Sequence, residues 1–95
     1  MAQDEQLRTE RLAGAEAQQL LDSPAFKHAF DGVEASIIGK LRTVGINDDA
    51  TRNQLVLTLQ LLTALRAAIK QTVETGQIAT VQIEQPSRMA RLFGR

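Results

Sequence analysis

The chain has 95 residues, eleven basic and eleven acidic side chains, and 43% hydrophobic residues. That is the length of one small domain, too apolar for disorder, with a core thin enough that a partner copy would help it. Having no cysteine excludes disulfides and zinc–thiolate sites, a single histidine leaves proton transfer and metal chemistry poorly supplied, and 3% aromatic residues leave no base-stacking platform.

The first segment, residues 4–21, is rich in Ala, Gln, Glu, Arg and Leu, all good helix formers. Leu7, Ala13, Ala17, Leu20 and Leu21 fall near one face, and Gly14 interrupts them at a cost of about 1 kcal/mol relative to alanine. This predicts a helix that depends on tertiary contacts. Asp22-Ser23-Pro24 marks a boundary, with Ser23 the expected N-cap and Pro24 the first position of the next helix. Helix two, residues 24–44, carries Phe26, Phe30, Val33, Ile37, Leu41 and Val44 at helical spacing. Gly45 is its expected stop, and Asp48 or Asp49 the expected cap of the third helix. A short polar loop between two amphipathic helices predicts an antiparallel hairpin.

Helix three is expected over 50–75. Leu55, Leu59, Leu62, Ile69 and Val73 form one stripe, and Leu57, Leu61, Leu65 and Ala68 a second beside it. A surface helix needs only one apolar face. The leucines Leu55, Leu57, Leu59, Leu61, Leu62 and Leu65 are therefore candidates for core and oligomer interface, with helix one or a second copy covering what helix two does not. Gly76 is the expected end of this helix. Residues 77–84 read as extended, because Ile78, Thr80, Val81 and Ile83 are β-branched and Val81 and Ile83 alternate with Gln82 and Glu84. Residues 1–84 thus form a single all-α domain with an extended exit, and 85–95 a basic arm.

Residues 1–22 carry a net −3 and residues 85–95 a net +3, from Arg88, Arg91 and Arg95. With Met89, Leu92 and Phe93, these arginines make the arm a candidate protein-docking element. Three charges are too few for strong nucleic-acid binding. His28 has no second ligand at metal-binding spacing, and helix capping accounts for Asp48 and Asp49 without a metal. No glycine-rich phosphate loop is present; Gly32 and Gly39, seven residues apart, suit either close helix approach or a tolerant surface. The expectation is no enzyme, no cofactor, and no catalytic or metal site. The sequence starts Met1-Ala2-Gln3-Asp4-Glu5 without a signal pattern. Its longest uncharged stretch, Asn53–Leu65, falls short of the ~20 apolar residues of a membrane span. A soluble, cytoplasmic protein is expected.

The run Leu20-Leu21-Asp22-Ser23-Pro24-Ala25-Phe26, followed by Ala29-Phe30 and Val33-Glu34-Ala35, and the later Val73-Glu74-Thr75-Gly76-Gln77, resemble small bacteriophage and prophage proteins of the structural gene cluster. The resemblance spans roughly residues 16–84. It implies a helical hairpin and a virion or assembly role, with the chain itself and other phage proteins as partners, in the host cytoplasm during assembly or in the virion. A phage protein that binds and inhibits a host protein is the alternative.

Overall fold

The computed structural model of the chain describes residues 2–85. It is all-α: α1 spans Ala2–Asp22, α2 Pro24–Thr43 and α3 Asp49–Glu84. The described residues gather into two compact units. Unit 1 takes α1 up to Leu21 together with α3 from Ile69; unit 2 takes Asp22–Ala68.

In unit 1, Gly14 of α1 faces Gly76 of α3. A Cβ on either glycine would lie 2.7 Å from the other's Cα. Both glycines are buried, and Val73 and Ala79 are buried on the α3 side. The helices run antiparallel: Gly14 meets Gly76, while Arg11, earlier on α1, reaches Glu84, later on α3, at 3.9 Å. Gly14 is thus the contact point of the helix that it was expected merely to weaken. Leu7, Ala13, Ala17 and Leu21 are half-buried, whereas Leu20 stays exposed.

Two expectations fail in this unit. Gly76 does not end α3, and residues 77–84 are helical rather than extended. The helical ladder carries on to Gln85, whose N–H donates to the Val81 carbonyl at 2.7 Å. The reason lies in the contacts. Ile69, Val73, Gly76, Thr80 and Ile83 recur at helical spacing and are all buried or half-buried. Burial at that period outweighs β-branched propensity, which costs a helix only a few tenths of a kcal/mol per residue. The Thr80 hydroxyl donates to the Gly76 carbonyl at 2.9 Å, so its polar group is met within the helix.

In unit 2, Ser23 caps α2 as expected: its Oγ accepts from the Phe26 N–H at 3.2 Å, and Pro24 occupies the first turn. α2 ends at Thr43, where Val44 turns extended (φ −64, ψ 140). Gly45 is therefore not the stop through left-handed geometry; no described glycine has positive φ. Asp48 is the cap of α3, its Oδ1 accepting from the Thr51 N–H at 3.2 Å. Hydrogen bonds from the Thr51 side chain and backbone, with the Arg52 charge adding to them, hold the Asp48 carboxyl below the usual carboxylate range. Arg52 ties the loop to the helix, donating to the carbonyls of Gly45 at 2.9 Å and Ile46 at 3.2 Å. Further along, Arg66 pairs with Asp31 at 3.3 Å and lies 4.1 Å over the Phe30 ring. Contacts of 45 with 52 and of 31 with 66 make α2 and this part of α3 the expected antiparallel hairpin. Phe30 and Ile37 are its buried apolar side chains, at 6% and 7% exposure.

Candidate functional site

The hairpin of unit 2 sorts the leucines of α3 into two rows. Leu55, Leu59 and Leu62 are half-buried. Leu57, Leu61 and Leu65 are 56%, 62% and 52% exposed. The exposed three are spaced by four residues, so they stand above one another on a single face. The six leucines singled out in the sequence are thus divided between an inner and an outer row.

The placement of charge makes the outer row distinctive. Between Ala50 and Ala68 the only ionic side chains are Arg52 and Arg66. Both are drawn away from the outer leucines, Arg52 onto the loop carbonyls and Asp49, Arg66 onto Asp31 and the Phe30 ring. What accompanies Leu57, Leu61 and Leu65 on their face is Ala50, Asn53, Gln54, Ala64 and Ala68, read from the helical period. Thr58 and Thr63 donate to the Gln54 and Leu59 carbonyls at 2.8 and 3.1 Å. Both hydroxyls thus have partners within the helix.

Beside the leucine row lies a trough of about 560 Å³, lined by His28, Ala29, Gly32, Val33, Ser36, Ile37, Lys40 and Thr58. Its α2 wall sets the small residues Ala29, Gly32 and Ser36 among His28, Val33, Ile37 and Lys40. A Cβ added at Gly32 or Gly39 would meet nothing within 4 Å, so these glycines serve no close helix approach inside the unit. Val33, part of the predicted α2 stripe, is 49% exposed on this wall. The periodicity of Phe26, Phe30 and Ile37 could not show it, because Val33 sits at the edge of their arc.

Other candidates come out as follows. His28 is exposed on α2. Asp48 is engaged as a cap and Asp49 pairs with Arg52 at 2.7 Å. Among the described residues no three His, Cys, Asp or Glu side chains are placed to share a metal ion. No described helix is long and apolar enough to cross a membrane. In unit 1 a groove of about 190 Å³ lies along the glycine contact between Arg11, Gln18, Gln77 and Thr80. The docking arm, Arg88, Met89, Arg91, Leu92, Phe93 and Arg95, lies outside the described residues.

No protein-family model, curated protein or solved structure matches the chain.

Proposed function

We propose that this protein is a non-enzymatic structural or assembly protein of a bacteriophage, working by self-association and by docking to other phage proteins. The observation that carries the self-association is the outer face of α3: three half-exposed leucines in a row with no charge among them. Large contiguous apolar patches mark interaction surfaces, and these leucines stand next to one another on the helix. A second copy fits it because two identical faces meeting about a two-fold axis bring like charges together, and this face has none to repel. The phage assignment rests on the likeness of residues 16–84 to small proteins of that origin. The arginines and apolar residues of the C-terminal arm are the docking element for other proteins.

Light scattering and sedimentation of the full chain between about 1 and 100 µM test the reading. Self-association is expected in this range and loss of it in the Leu61→Glu variant, with helicity unchanged because Leu61 already faces water. A strict monomer at 100 µM means association weaker than about −5.5 kcal/mol and overturns the proposal. A tight one-to-one complex with a host protein, in place of the homo-oligomer, points to an inhibitor instead.

A further inference from the structure

We propose that the arm of residues 86–95 has a resting seat on its own chain, the face of α1 turned away from α3. Glu5, Thr9, Leu12, Glu16 and Leu20 follow one another at spacings of 4, 3, 4 and 4, so they stand in one row along α1, and all five are exposed. Leu12 lies two residues from Gly14, about 200° round the helix, so the row points away from the glycine contact with α3. Leu12 is 63% exposed and Leu20 41%. Glu5 and Glu16 bracket Leu12, and Asp4 stands exposed beside Glu5. Of the two cations of α1, Arg11 is turned to Glu84 and Arg8 flanks the row.

The arm matches this row in charge, in apolar content and in reach. Its charged side chains are Arg88, Arg91 and Arg95, with no acid, and Met89, Leu92 and Phe93 lie among them. Its arginines answer Glu5 and Glu16, and its apolar residues answer Leu12 and Leu20. Where the arm begins is also fixed. α1 and α3 run antiparallel with Gly14 opposite Gly76, so Gln85, nine residues past Gly76, is level with Glu5, nine before Gly14. Pro86 has no N–H with which to continue the helical ladder. Glu5 and Glu16 are about 16 Å apart along the helix, and a ten-residue arm reaches at most about 35 Å, so it can run back along the row. So short a tether gives an effective concentration on the order of millimolar, which puts the chain's own arm on the seat ahead of another copy's. Exposed ion pairs are individually weak, so a protein partner can displace the arm. The docking element proposed above is therefore held on α1 until a better surface competes for it.

The sequence has no cysteine, so introduced pairs report the seat directly. Full-length chains carrying Thr9→Cys with Ala90→Cys, or Ile78→Cys with Ala90→Cys, are oxidised with copper phenanthroline at about 1 µM, far below the tether's effective concentration. Ile78 is exposed and level with Leu12 but belongs to α3, so it scores chance collision. An internal Thr9–Ala90 disulfide formed at least tenfold faster than the Ile78–Ala90 one is expected. Adding Glu5→Gln and Glu16→Gln, both at exposed positions, should slow it at least threefold with helicity retained. Equal rates for the two pairs overturn the seat, and so does a rate that the glutamines leave unchanged. Disulfide-linked dimers in place of the internal link also overturn it, since another copy's arm would then be the occupant. Self-association is read separately, from the mass of the cysteine-free chain, so either reading can fail while the other stands.

Discussion

In unit 1 a glycine faces a glycine and two backbones come within touching distance; in unit 2 a phenylalanine and an isoleucine are buried between helices whose small residues point outward. α3 supplies a wall of both units, so the difference lies in what it is given to meet. In unit 1 the close approach is made at Gly76, where the Gly14 position meets the Gly76 Cα and the Thr72 carbonyl, with Val73 and Ala79 buried beside it. In unit 2 its half-buried side chains include Leu55, Leu59, Leu62 and Arg66, the last lying 4.1 Å over the Phe30 ring. The same residue type therefore has opposite meaning in the two places. Gly14 and Gly76 are filled by each other's backbones, whereas Gly32 and Gly39 look onto open space. A glycine within a helix costs about 1 kcal/mol relative to alanine. Close contact offsets that cost in unit 1, and nothing inside unit 2 does.

The comparison breaks most visibly at Phe30. Phe30→Ala should cost about 3–5 kcal/mol by removing the larger of the two buried side chains of unit 2 and the ring under Arg66. Hydrogen exchange should show protection lost first in residues 24–66, and uniform loss along the chain would contradict a separate core there. Next comes Gly76→Ala. Its Cβ would stand 2.7 Å from the Gly14 Cα and 2.9 Å from the Glu10 carbonyl oxygen, atoms of backbone that cannot swing aside. The expected loss is about 1–3 kcal/mol, read by urea melts, with exchange quickening in α1 and residues 69–84. An unchanged or raised midpoint would mean that the helices do not approach as closely as described.

Ser23→Ala should cost about 1 kcal/mol, since the Phe26 N–H loses its acceptor at the start of α2. Gly39→Ala sharpens the contrast from the other side. The same added methyl group as in Gly76→Ala should here stabilise by about 0.5–1 kcal/mol, because it meets nothing and improves helix propensity. A loss of stability would show that the Gly39 face is occupied. The smallest effect belongs to Asp48. Its carboxyl is held below the usual range in the folded chain, so its contribution is present above the unfolded value of about 3.9 and is lost as pH falls through the folded one. Asp48→Asn should flatten the pH dependence of melting below about pH 4 while changing little at pH 7. An acid limb as steep as that of the natural chain would place the sensitive group elsewhere.

Local chemistry made much of this legible beforehand. Ser23-Pro24 fixes the start of α2 because a hydroxyl acceptor and a preset φ act within one turn. The helical spacing of Phe26, Phe30, Ile37 and Leu41, the loop that follows, and the Asp48 cap fix the hairpin in the same way. That leucines ring α3 between 55 and 65 was also plain, and with it that one helix partner would leave some of them uncovered.

Tertiary structure decided the rest. Which leucines turn outward depends on where Phe30 and Asp31 hold Arg66, a contact between residues thirty-five apart in the chain. Gly76 reads as a helix stop to any local rule, and Val81-Gln82-Ile83-Glu84 reads as a strand. Only the presence of Gly14 opposite Gly76 turns the first into a contact and carries α3 on to Glu84. Propensities of a few tenths of a kcal/mol per residue are weak beside the burial of Val73, Gly76 and Ala79 along one helical face. The sequence by itself determined where helices begin, because capping is local. The partner helix determined how far α3 runs and which of its faces is left for another molecule, because burial is shared between distant residues.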